Sequence, residues 1–186
     1  MNRTIGLLAT TTIMATVASA LVFAEPPTKT STPAQLTGKE TPMELLKSWE
    51  GEWDAEVTFW FKPGAPPVTT KATLSASLML DGKFLQQRME GGDLGPGTPK
   101  WSTMSMIGYN PFSKEYEVTR FASTVPVMMP MRGVASGDAK RLELAGEYPF
   151  MGGKATARDV IVNDGADTQR IESYMSFGGS PEFKGA

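Results

Sequence analysis

The chain has 186 residues, with 18 Lys and Arg against 20 Asp and Glu, and it contains neither histidine nor cysteine. Those two absences exclude a serine–histidine triad, a cysteine nucleophile, a His/Cys zinc cage and a histidine-ligated haem. The mildly acidic balance gives no electrostatic reason to seek nucleic acid.

The first segment carries one positive side chain, Arg3, then no charge until Glu25, and it ends in small residues. That is the pattern of a secretory signal peptide. Cleavage after Ala20 and after Ala24 both fit, and the turn-prone Glu25-Pro26-Pro27 favours the second. An uncleaved anchor is the alternative, because the uncharged span approaches the length of a bilayer crossing, but Thr10, Thr11, Thr12 and Thr16 dilute its hydrophobicity. Residues 1–24 are read as a signal peptide. The mature protein is then expected in the periplasm or outside the cell, with no stable membrane insertion. Its removal takes away only Arg3, leaving 17 basic against 20 acidic side chains. Residues 25–40, rich in Pro, Thr and Lys, read as a flexible linker. Residues 41–186 form a single domain long enough to bury its own core, and without cysteine that core must supply the stability.

Thr41-Pro42-Met43-Glu44 is a capping box with proline at the first helical position, which predicts a short helix from Pro42 to about Trp49. From Trp53 the period is two: Trp53, Ala55, Val57, Phe59 and Phe61 share one face, with Asp54, Glu56 and Thr58 on the other. A strand is followed by the break at Lys62-Pro63-Gly64-Ala65-Pro66-Pro67 and a second strand from Val68 to Leu80. Asp81-Gly82 turns the chain into Phe84 to Glu90. The segment Gly91 to Lys100 is a loop, and a strand from Trp101 to Tyr109 ends at Asn110-Pro111. Further strands are expected at Glu115–Ala122, Val127–Ala135, Arg141–Tyr148, Ala155–Val162 and Gln169–Phe177, joined at Gly137-Asp138, Gly152-Gly153 and Asp164-Gly165. Nine short strands with hairpin-type turns predict an all-β domain, an antiparallel up-and-down barrel with one short N-terminal helix.

The ordered run Leu46, Trp49-Glu50-Gly51-Glu52-Trp53, Pro63-Gly64, Leu80-Asp81-Gly82-Lys83-Phe84-Leu85, Ile107-Gly108-Tyr109-Asn110, Arg158, Val160, Glu172 and Tyr174 resembles a bacterial family of uncharacterised, often exported proteins, domain-of-unknown-function family 1579. The resemblance covers essentially all of residues 41–186. It implies a calycin- or lipocalin-like barrel and brings no activity with it. This chain has Asn110 where the family more often has Asp, and Gly82-Lys83 where the family has a second Gly followed by Arg. The family pattern also carries a last strand beyond Lys184-Gly185-Ala186. A barrel lacking it has an open seam and an exposed edge.

Twelve methionines are unusual, above all Met104-Ser105-Met106 and Met128-Met129-Pro130-Met131. Two thioethers on one strand face could hold Cu(I). The plainer reading, methionine as adaptable filler of an irregular interior, is the stronger. Arg170, Glu172 and Tyr174 alternate along one strand, and periodicity favours a solvent face for them over an inward ligand site. Arg88 and Arg120 sit mid-strand, and each either snorkels or has a buried partner. Trp49 and Trp53 are read as a plug beside the helix, while Trp60 is either a contact for sugar or lipid or a covered rim residue. The acidic pairs Glu50/Glu52 and Asp54/Glu56 read as solvated faces.

The expected function is a non-enzymatic exported barrel that binds a small hydrophobic or amphipathic ligand, lined by Trp53, Val57, Phe59, Arg88, Met104, Met106 and Arg120. No catalytic residue, metal or cofactor is assigned. A Cu(I)-binding envelope protein, a metal-free enzyme using inward Arg, Tyr and carboxylate groups, and a packed structural or interaction module stay open.

Overall fold

A computed structural model describes residues 41–92, 94, 100–136, 139–165 and 167–186. The segments read from sequence as a signal peptide and a linker, the expected turn at Gly137-Asp138 and most of the expected loop at 91–100 lie outside the described residues. Helix α1 (Pro42–Ser48) is followed by ten strands: β1 (Gly51–Phe59), β2 (Val68–Met79), β3 (Phe84–Gly91), β4 (Trp101–Asn110), β5 (Glu115–Ala122), β6 (Val125–Ala135), β7 (Arg141–Phe150), β8 (Gly153–Asn163), β9 (Gln169–Phe177) and β10 (Phe183–Lys184). Each strand pairs antiparallel with the next in chain order, and the sheet curls into a half-barrel. Nine of the ten strands lie where the alternating pattern puts them. The two-residue β10, at Met175 and Tyr174 of β9, has no such pattern to announce it.

The capping box forms as the sequence dictates: the Thr41 amide donates to the Glu44 carboxylate at 2.6 Å, and Thr41 Oγ1 accepts from the Glu44 amide. The cap holds the first turn in register, so that Leu45 and Leu46, with Trp49 just beyond the last turn, are buried in the core. Three hydrogen bonds then fix the helix across one end of the sheet. Trp53 Nε1 donates to the Trp49 carbonyl, Trp49 Nε1 to Asn163 Oδ1, and the Tyr116 hydroxyl to the Pro42 carbonyl. Trp49 and Trp53 thus plug the barrel bottom, and this end is closed.

Alternation sends one side of every long strand inward, including Val57 and Phe59 of β1, Leu85 and Met89 of β3, Leu142 and Leu144 of β7, and Ile171 and Met175 of β9. Between β6 and β7 the ladder covers only Arg132–Ala135 against Leu142–Ala145. Proline at 130 has no N–H with which to extend it. The strands nevertheless press together there, because Gly133 and Gly146 carry no side chain. A Cβ at 133 would run into the Glu143 carbonyl oxygen, and one at 146 into that of Pro130.

The sheet has two free sides, β1 and β10, and no ladder joins them among the described residues. One backbone hydrogen bond, Trp60 N–H to the Gly185 carbonyl at 2.9 Å, ties the end of β1 to the last residues of the chain. The Lys184 ammonium lies 5.5 Å from the centre of the Trp60 ring on the same seam. Trp60 is therefore a half-covered rim residue rather than a bare aromatic.

Replacing Gly146 by alanine is expected to lower stability by about 1–3 kcal/mol, the usual cost of forcing a methyl into a closed contact. A urea midpoint shifted downward with the slope unchanged is the expected result. An unshifted midpoint would mean that β6 and β7 do not depend on this close approach.

Candidate functional site

Opposite the helix the strands end in an open mouth whose walls are aromatic. Phe61 comes from just after β1, Phe150 and Phe177 from the ends of β7 and β9, and Phe183 from β10. They line a depression of about 840 Å³ together with Pro63 and Met151. Phe150 and Phe177 lie 5.3 Å apart between ring centres, and Phe177 and Phe183 6.0 Å. On the other wall Phe61 stacks on Phe59 at 5.9 Å, and Phe59 meets the edge of Trp101 at 5.2 Å. Four segments far apart in sequence thus bring half-buried phenyl rings to one place, an arrangement that offers apolar surface with Lys62, Lys154 and Glu182 sharing its lining.

Beneath the mouth the interior is polar. Gln87, Ser105 and Arg120 stand opposite one another on β3, β4 and β5, and all three side chains are buried. Across the half-barrel, Asp159 of β8 faces Ser173 of β9. Arg120 reaches over: its Nη2 donates to Asp159 Oδ2 at 2.5 Å and its Nε to Ser105 Oγ at 3.4 Å. Ser173 Oγ donates to the other carboxylate oxygen at 2.6 Å. Asp159 is 0 % exposed and Arg120 5 %, so the two charges meet where water cannot screen them. Such a pair holds together because breaking it leaves a lone buried charge.

Tyr148 joins this layer to the mouth. Its ring centre lies 6.4 Å from that of Phe150, and the side chain is buried between the aromatic wall and the ion pair. Burial pushes its phenol above the usual tyrosine range, with the Arg120 charge pulling it down and the Asp159 charge pushing it up. The Tyr148 hydroxyl, the Thr103 hydroxyl and the Gln87 amide make no hydrogen bond among the described residues, but these atoms are not themselves closed off from solvent. The buried indole N–H of Trp101 has none either. Buried polar groups ordinarily find partners in the protein or in ordered water, and the Trp101 indole is an exception among the described residues.

The residues expected from sequence to line a cavity divide three ways. Val57, Phe59 and Arg120 face the interior. Trp53 is interior too, but it is committed to the helix plug through its bond to Trp49. Arg88, Met104 and Met106 lie on the outer face, away from the interior group. Arg88 pairs there with Glu90 at 2.9 Å with most of its side chain in solvent, and Met104 Sδ accepts from the Gln86 amide at 3.3 Å. The reason is register: the inward positions of β3 and β4 are Leu85, Gln87 and Met89 and Trp101, Thr103, Ser105 and Ile107, one residue off the arginine and the two methionines.

Arg170, Glu172 and Tyr174 also face outward, where they form a clasp rather than a ligand site. Lys184 Nζ donates to Glu172 Oε1 at 2.9 Å, Tyr174 donates to Glu172 Oε2 at 3.0 Å, and Arg158 lies 4.2 Å over the Tyr174 ring. The hydrogen bond from Lys184 holds the Glu172 carboxyl below its ordinary range. The clasp binds β10 to β9. The acidic pair Asp54/Glu56 is solvent-exposed.

Sequence reading did not single out Tyr148, Asp159 or the mouth residues Phe150 and Phe183. Asp159 had a usable signal: it stands at an inward parity, in Ala155-x-Ala157-x-Asp159-x-Ile161, where a lone carboxylate requires a buried cation. Arg120 is the arginine at matching inward parity.

Because the unfolded tyrosine ionises near pH 10 and the folded one above it, the stability that Tyr148 contributes is complete below about pH 10 and falls as pH rises through the folded value. Wild type should therefore lose more stability than Tyr148→Phe between neutral and strongly alkaline pH, read from denaturation midpoints. Identical losses would show that Tyr148 is not held in its neutral form by burial.

No curated protein matches the chain. The model of the family described as "Protein of unknown function (DUF1579)" matches residues 39–184, which takes in the helix plug, the buried ion pair and the aromatic mouth. The chain belongs to the DUF1579 family.

Proposed function

We propose that this protein is exported and that its half-barrel holds a small apolar or amphipathic molecule at the aromatic mouth. The observation that carries the reading is the phenylalanine-walled depression of about 840 Å³ at the open end of the half-barrel. Magnitudes favour a guest that adds polar contacts to apolar burial. Burying roughly 200 Å² of apolar surface gains about 5 kcal/mol, before the cost of immobilising the guest. That alone gives weak binding, with a dissociation constant of roughly 0.1–1 mM. Hydrogen bonds to polar side chains that share the depression, such as Lys62 and Ser180, each worth about 1 kcal/mol net, would bring the affinity toward the micromolar range.

Export rests on the amino-terminal pattern of Arg3, an uncharged run and small residues before Ala24. No described helix is long and apolar enough to cross a membrane. The envelope-fraction protein should begin at or near Glu25, and an intact mass that still included residues 1–24 would overturn soluble export.

An environment-sensitive apolar fluorophore should gain emission with the wild-type protein, and Phe150→Ser with Phe177→Ser should weaken it by about tenfold, as expected from losing part of the apolar contact. Native mass spectrometry of protein taken from its own envelope should show a retained small molecule. No gain in emission together with a bare protein mass would leave a packed structural module as the surviving account.

A further inference from the structure

Three charged side chains share the lining of the aromatic depression: Lys62, Lys154 and Glu182. Two of them are already engaged. Lys154 Nζ pairs with Glu147, and the Glu182 carboxylate takes both a 3.1 Å bond from Arg158 Nε and a 2.7 Å bond from Arg158 Nη2. Lys62 is exposed and has no acidic partner among the described residues. Resting on the reading that this mouth takes a small amphiphile, we propose that the guest is a hydrocarbon chain with a single negative charge at one end. The Lys62 ammonium meets that head at the rim, and the chain lies on the phenylalanines.

Position, charge and depth each support this. Lys62 leaves the chain directly after Phe61, a half-buried member of the aromatic wall, so a chain lying on that ring has an ammonium beside its outer end. The backbone is held on both sides of it. The Trp60 N–H donates to the Gly185 carbonyl at 2.9 Å, and the Lys62 carbonyl accepts from the Ala65 N–H at 3.2 Å, in a turn where Pro63 fixes φ. Charge then sets the sign of the guest. A cationic head would face Lys62 with no lining carboxylate to offset it, because Glu182 is gripped by both nitrogens of the Arg158 fork. An anionic head completes the one open charge. Lys154 strengthens the preference: both members of its pair with Glu147 are more than half exposed, and such surface pairs are weak enough to exchange partners. One open cation suits one negative charge, and an ammonium, as a point charge without a fixed fork, selects that charge rather than the shape of the headgroup. Depth sets the orientation. The phenyl rings are half-buried and Lys62 is exposed, so a head left at the rim keeps its water while the chain sheds its own.

The experiment is displacement of the apolar fluorophore at low ionic strength by amphiphiles that share one chain length and differ in the head: decanoate, decyl sulfate, decan-1-ol and decyltrimethylammonium, each below its micelle concentration. The two anions are expected to displace the probe alike, about three- to fivefold more tightly than the alcohol and at least about tenfold more tightly than the cation. Added salt should shrink that advantage, because the contact is open to solvent. Lys62→Met, which keeps the apolar stem, should abolish the anions' advantage and leave the alcohol unchanged, and Lys62→Glu should turn the preference toward the cation. Anions that bind no better than the alcohol, or an advantage that survives Lys62→Met, overturn the proposal while leaving the mouth as a binding site. Protein that sediments with phosphatidylglycerol vesicles in a Lys62-dependent way, while decanoate fails to displace the probe, assigns the lysine to a lipid surface and also overturns it. Failure of the fluorophore itself to bind overturns the mouth reading and the proposal with it.

Discussion

The Arg120–Asp159 pair is the constraint around which the interior is arranged. It joins β5 to β8 across the half-barrel, where no ladder connects them, and Ser105 and Ser173 each satisfy one of its partners from a neighbouring strand. A curled meander has few such cross-links, because each strand bonds only to its sequence neighbours. One buried pair therefore does what a closing ladder does in a complete barrel: it holds two distant strands at a set separation. It also fixes the chemistry of the space around it, since the interior contains both charge signs yet carries no net charge.

The two ends of the sheet are built on opposite principles. At the closed end each large polar edge has a partner, with the indoles of Trp49 and Trp53 bonded to Asn163 and to the helix carbonyl. At the mouth the large groups are phenyl rings that need none, beside the Trp101 indole, whose buried N–H has none among the described residues. The seam between β1 and β10 carries the cation–aromatic contact of Lys184 with Trp60, and the Glu172 clasp holds β10 on β9. Outer-face charges hold the edge, which frees the inner face for uncharged chemistry.

Much of this architecture is legible in the sequence because a half-buried sheet writes itself as alternation. The capping box at Thr41 to Glu44, the nine long strands and their glycine-containing turns follow from local rules that tertiary context did not override. What failed was parity at positions where both faces carry apolar residues. On β3, Phe84, Gln86 and Arg88 make as plausible an inward row as Leu85, Gln87 and Met89, and on β4 the methionines compete with Thr103 and Ser105. On β4 the two rows are similarly apolar, with Trp101 and Ile107 facing inward beside Thr103 and Ser105 and Met104 and Met106 facing outward, so a rule that sends apolar groups inward does not choose between them. The phenylalanine mouth was illegible for another reason: its members lie at strand ends separated by up to the whole domain, and only the curl of the sheet brings them together.

The most direct test of the account is a double-mutant cycle on Arg120 and Asp159, with Arg120→Met, Asp159→Leu and the combination, each followed by urea denaturation. If the pair is the cross-barrel tie described here, each single change strands a buried charge and costs about 3–5 kcal/mol, whereas the double change costs far less than their sum. Single changes that each cost under about 1 kcal/mol, or a double change that is simply additive, would contradict it.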